Sequence, residues 1–222
     1  MKKKRWLKII IAGLIILIFA LVILKLSPSS AITVKNTQPS PTSALTKPTP
    51  LSTSTASLLY PPLSNALSRV TKKTFGLYVS PGHSPISPEK FTGYHTGLDF
   101  ETLPGEAKID VPVSAVCSGP LIMKKWATGY GGVAVQSCLI DKQAVTIIYG
   151  HLRYASITAT VGTKMMAGEK FAVLGTGYSS ETAGERKHLH LGIHLGTSVN
   201  ILGYVQNKVD LKNWLDPLKY FK

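Results

Sequence analysis

Apolar and polar residues fall into three regimes along the chain. The first is a continuous apolar run: residues 9–24 carry no charge, and Trp6, Leu7 and Leu26 extend the run past Lys8 and Lys25. A helix rises about 1.5 Å per residue, so about 20 residues cross a hydrocarbon core of about 30 Å. Residues 6–26 are long enough. Lys8 and Lys25 can reach the two interfaces along their stems, and Trp6 suits an interfacial belt. The pattern predicts one transmembrane helix within residues 1–26. The second regime, residues 27–58, is dominated by Ser, Thr and Pro. Such a composition buries too little apolar surface to offset ordering entropy, and predicts a disordered linker. The third begins near Leu59. Residues 111–116, 132–139, 144–151 and 171–174 are short β-branched or apolar runs bounded by Gly, Pro or Asp signals, and read as strands. Helical periodicity is weak, with one short helix expected within residues 63–72. Residues 59–222 are therefore expected to form a mainly β domain built on an antiparallel sheet.

Charge gives the first segment a direction. Lys2, Lys3, Lys4, Arg5 and Lys8 cluster before the apolar run. The positive-inside rule puts them in the cytoplasm and everything after Lys25 outside. A cleaved signal peptide ending near Ser29-Ser30-Ala31 is the competing reading, and it exports the same domain. The formal net charge of +14 belongs mostly to the N-terminal part. Residues 1–88 hold eleven Lys or Arg and no acid, whereas residues 89–222 hold fourteen basic and eleven acidic residues. A nucleic-acid binder concentrates its excess on the folded domain, so nucleic acid is excluded as a partner.

The chain has two cysteines, Cys117 and Cys138. They form no CxxC pair, which removes a zinc ribbon. They flank Thr128-Gly129-Tyr130-Gly131-Gly132, which reads as a hairpin loop. Across that hairpin they can face each other as a disulfide, or stay as two buried thiols.

Three patterns carry chemistry. In Gly93-Tyr94-His95-Thr96-Gly97-Leu98-Asp99, an imidazole and a carboxylate, both good zinc ligands, stand four apart in a segment whose glycines oppose a helix. In His188-Leu189-His190-Leu191, strand parity aims both imidazoles at one cleft and both leucines at a core. In Tyr149-Gly150-His151-Leu152, a histidine ends an apolar run. Each is weak or moderate alone. Together they point to a catalytic zinc with three protein ligands and an open position. No HExxH helix and no GxSxG elbow is present.

These residues, in this order, resemble the lysostaphin-type (LytM-like) zinc metallopeptidases. The likeness runs over residues 75–195 and includes Pro112-Val113-Ser114-Ala115 with Gly119, Gly129-Tyr130-Gly131, and Gly162, Gly168 and Gly175. The resemblance implies one zinc ion held by His95, Asp99 and His190. It implies His151 and His188 as the catalytic histidines, a β-sheet groove with the metal on its floor, and a peptidoglycan stem or cross-bridge as substrate. A catalytically inactive relative that binds wall material or activates another hydrolase is the alternative. Two departures stand out. Residues 182–187 (Thr-Ala-Gly-Glu-Arg-Lys) are more charged than the family's usual Ser/Thr-Gly-Pro stretch, and Gly192 stands where an acid is common. His194 shares the parity of His188 and His190 but has no ligand counterpart, and His83 is expected in a surface loop.

Overall fold

Strict alternation in His188-Leu189-His190-Leu191-Gly192-Ile193 puts Leu189, Leu191 and Ile193 on one face, and all three are fully buried in the main core. The opposite face of the same strand carries the histidines. A computed structural model describes residues 58–222. The transmembrane segment and nearly all of the linker expected from the sequence lie outside the described residues. Among the described residues no helix is long and apolar enough to cross a membrane.

The strands, in chain order, are β1 (Tyr78–Val79), β2 (Gly93–His95), β3 (Gly97–Glu101), β4 (Pro112–Ser114), β5 (Gly119–Ala127), β6 (Gly131–Ile140), β7 (Gln143–Leu152), β8 (Lys164–Met165), β9 (Lys170–Val173), β10 (His188–Leu195), β11 (Tyr204–Val205) and β12 (Trp214–Leu215). The largest sheet runs β12-β10-β7-β6-β5-β8, with β3 also pairing to β10. A three-stranded sheet, β1-β2-β11, and a two-stranded one, β4-β9, complete the set. Every pairing is antiparallel. The four strands expected from the apolar runs are present as β4, β6, β7 and β9; the ends of β6, β7 and β9 each shift by one residue, and β4 is shorter, starting one residue later and ending two earlier. The helix expected within residues 63–72 is a single 3-10 turn, Ala66–Arg69. Arg69, its last residue, is buried, with its guanidinium bonded to Glu101 O and the Glu106 carboxylate.

The hairpin between β5 and β6 turns at residues 128–130, as the glycine loop predicts. It brings Cys117 and Cys138 together as a disulfide with Cα atoms 6.2 Å apart. Closing a loop of this length contributes about 3 kcal/mol by restricting the unfolded chain.

Two close approaches position the functional face. β3 pairs with the first half of β10, so that Asp99 lies opposite His190 and Gly97 opposite Gly192. A Cβ at Gly97 would stand 2.7 Å from the His190 ring and 2.6 Å from Leu191 O, so only glycine lets β3 come this close. At Gly150 a Cβ would meet the Tyr130 ring at 2.4 Å.

Candidate metal and catalytic centre

His95, the last residue of β2, and Asp99, in the middle of β3, belong to different sheets, and the two-strand turn between them folds both side chains to one point. His190 comes from β10, opposite Asp99. His95 Nε2 lies 2.9 Å from His190 Nδ1, and Asp99 Oδ1 lies 3.2 Å from each of these nitrogens. All three side chains are buried. His95 Nδ1 donates to Thr74 O at 3.1 Å, which leaves Nε2 as the bare, lone-pair nitrogen facing the cluster. Three electron-rich atoms thus crowd one point.

Zinc fits this donor set. Ligand bonds of about 2.0–2.2 Å in tetrahedral geometry separate neighbouring donor atoms by about 3.3–3.5 Å, close to the spacing found. His95 and His190 are soft enough for a borderline cation, and Asp99 supplies the negative charge. The three residues expected as ligands from the sequence are therefore brought together, and among the described residues they form the one His/Cys/Asp/Glu group spaced to hold a metal ion.

The other two expected site residues stand beside them. The rings of His151 and His188 are tilted against each other with centroids 4.3 Å apart. His188 donates from Nδ1 to Arg186 O at 2.9 Å, and its Nε2 faces Asp99 Oδ2 at 3.3 Å. His151 ends its run in β7 with φ of 61°, in the left-handed region that residues with side chains seldom adopt. Its carbonyl is held by Gly175 N at 2.8 Å. Strain of this kind is found where the surrounding structure fixes a functional side chain. His194 does not join the group; its ring packs edge-on against Trp214 at 4.8 Å. His83 is exposed in its loop. The Trp214 ring also closes the space beside Gly192, where a Cβ would meet it at 3.3 Å. His190 Nε2 is buried with no hydrogen-bond partner among the described residues.

Burial sets the electrostatics. Desolvation alone would raise the Asp99 pKa, but the imidazoles of His95, His188 and His190 outweigh it and hold the carboxyl well below its ordinary range. Desolvation pushes the His190 pKa down to about 4 and holds that of His151 well below the usual imidazole value, with His188 adding to the latter effect. Both rings are therefore neutral at pH 7, the form able to donate a lone pair or accept a proton.

The centre opens into a cleft of about 300 Å³. Tyr130 from the glycine loop and Leu202, Gly203 and Tyr204 from the chain around β11 line it together with His151 and His188. Behind Tyr204, the buried Lys73 ammonium bonds the Glu89 carboxylate at 2.7 Å and the Tyr204 hydroxyl at 2.8 Å. This support, and an Arg186–Glu101 pair against Asp99, is absent from the sequence reading. The charged 182–187 stretch was the only local sign of the latter.

The model of Peptidase family M23 matches residues 93–201, which contain all five residues of the centre. No curated protein matches the chain. Among solved structures, the catalytic domain of lysostaphin from Staphylococcus simulans is similar, with 20% identity and a TM-score of 0.48, over 72% of this chain and 97% of that one. LytU is similar at 22% identity and a TM-score of 0.45, over 68% and 83%. A zinc-containing peptidase from Vibrio cholerae is similar at 21% identity and a TM-score of 0.39, over 62% of this chain and 37% of that one. Over the residues that build this centre, the chain belongs to Peptidase family M23.

Proposed function

We propose that the chain is a zinc-dependent endopeptidase that hydrolyses peptide bonds in the stems or cross-bridges of peptidoglycan. The observation that carries this reading is the meeting of three donor atoms, from His95, Asp99 and His190, at the floor of a cleft with two further histidines beside them. A structural zinc site is normally closed by four protein ligands rich in cysteine. Here both cysteines are tied to each other instead.

When bound, the ion supplies Lewis-acid polarisation of a carbonyl and acidification of water. The chain's own residues supply the rest. His151, neutral through burial, is suited to take the proton of the attacking water. His188, whose Nδ1 donates to Arg186 O, stands within the same pair of rings and, when it also carries a proton on Nε2, can give that proton to the departing amine or hydrogen-bond the developing oxyanion. The cleft between the glycine loop and the residues around β11 admits an extended peptide across these groups.

We also propose that residues 1–26 form a cytoplasmic basic tip and signal-anchor, that residues 27–58 form a tether, and that the domain acts outside the cytoplasm. The charge step before an uncharged run of membrane-spanning length supports the first, and the Ser/Thr/Pro composition supports the second.

The test is incubation of the purified chain, with zinc, on isolated cell walls, reading turbidity and identifying released fragments by mass spectrometry. The wild type is expected to release peptides with new amino termini. His151→Ala should lower the rate by about 10²–10⁴-fold. A zinc-loaded wild type that releases nothing would favour an inactive, wall-binding role.

A further inference from the structure

Asp99 has two carboxylate oxygens, and they face different partners. Oδ1 meets the two imidazoles of the candidate metal centre. Oδ2 accepts a hydrogen bond from Arg186 Nη2 at 2.8 Å and also faces His188 Nε2 at 3.3 Å. The guanidinium is fixed in turn: its Nε donates to both Glu101 oxygens at 3.0 Å, and Nη2 donates to Glu101 Oε1 at 2.6 Å. Asp99 and Glu101 are two apart on β3 and so project from the same face, while Phe100 between them is buried in the core. Asp99, Glu101 and Arg186 are all buried.

A planar fork of donors matches this pair of carboxylates better than a point charge would. The clamp also suits a cation nearby. Glu101 cancels the charge of Arg186, so the unit of two carboxylates and one guanidinium keeps a net charge of −1. The guanidinium therefore adds no net repulsion against a divalent ion. The backbone of the same arginine accepts from His188 Nδ1, so one residue holds both a ligand and a histidine of the catalytic pair.

We propose that Arg186 is a positioning residue that keeps Asp99 a one-oxygen ligand, with Glu101 as its anchor. The inference rests on the zinc reading above. A carboxylate free to turn about its Cβ–Cγ bond can chelate a divalent cation through both oxygens and fill the corner that hydrolysis needs open. Arg186 occupies the second oxygen and removes that option. Arg186, within the charged 182–187 stretch that departs from the Ser/Thr-Gly-Pro pattern, thereby gains a function at the centre itself.

The test uses the full chain in three forms: wild type, the Glu101→Gln/Arg186→Gln double variant, and Arg186→Lys. The double variant removes the clamp without leaving a buried carboxylate unpaired, and the lysine variant keeps the charge but not the fork. Zinc affinity is measured by competition with a chelator, and coordination by the visible absorption of the cobalt(II)-substituted protein. The double variant should bind zinc about 10–100-fold more weakly. Its cobalt bands should weaken and move towards those of five-coordinate cobalt. Arg186→Lys should fall between it and the wild type. Wild-type affinity together with unaltered cobalt bands in either variant would overturn the positioning role while leaving the zinc reading intact. A wild type that takes up neither metal would overturn the zinc reading, and the positioning role with it.

Discussion

At the scale of single residues, the centre sets two neutral rings, His151 and His190, beside one ionised carboxyl, Asp99, all kept from water. That choice of protonation states has a consequence for stability. In the unfolded chain each histidine takes up a proton as the pH falls through about 6.5. In the fold, desolvation holds His151 neutral well below that, and His190 down to about pH 4. The unfolded state then binds more protons than the folded one, so stability falls as the pH falls. Each histidine contributes at most about 1.4 kcal/mol per pH unit across its window. A chain stripped of metal by a chelator should therefore melt at a progressively lower temperature from pH 7 to pH 5, and a flat profile would contradict the burial of these rings. Four polar residues of the centre stand in HxxxD and HxH, whose short, regular spacing made them legible in the sequence, whereas His151, in neither motif, was legible only through the family resemblance. The Arg186–Glu101 clamp was not, since the pair spans 85 positions and neither residue announces the other.

At the scale of elements, the approach of β3 to β10 decides whether the donor atoms meet. Alternation of apolar and polar residues made β10 and its two faces predictable, and the glycine loop made the β5–β6 hairpin predictable, whereas Cys117 and Cys138 stayed open between a disulfide and two buried thiols until the structure paired them. The side-by-side register of β3 and β10 was not predictable, because it is set by contacts nearly 90 residues apart and by the space left at Gly97. Gly97→Ala tests that register. The added methyl collides with Leu191 O and the His190 ring, so the strands must separate and the ring must turn. The variant should lose about 1–3 kcal/mol in chemical denaturation, and its zinc affinity should drop in the same preparation. Unchanged values for both would mean that β3 and β10 do not pack as closely as described.

At the scale of the whole molecule, we propose that an export signal precedes a domain whose disulfide suits an oxidising surrounding and whose substrate is a polymer outside the cytoplasm. At about 3.3 Å per residue, residues 27–58 can extend to roughly 105 Å. A tether of that length would let an anchored domain work at a distance from the bilayer. Expressed in bacteria, the full chain should sediment with membranes, and protease added to spheroplasts should remove the domain while sparing the N-terminal tip. Recovery of the intact chain from the cytosol would contradict the proposed orientation. Here the sequence carries the reading by composition and charge alone, since residues 1–57 lie outside the described residues.

The proposal that three separate strands supply the ligands of one zinc ion is tested most directly by metal analysis of purified variants. His95→Ala, Asp99→Ala and His190→Ala should each lose the ion that the wild type carries at one per chain, while His151→Ala and His188→Ala should retain it and fail to cleave cell walls. Zinc retained at one per chain after removal of any one of the three ligands, or wall cleavage undiminished in protein freed of metal, would contradict it.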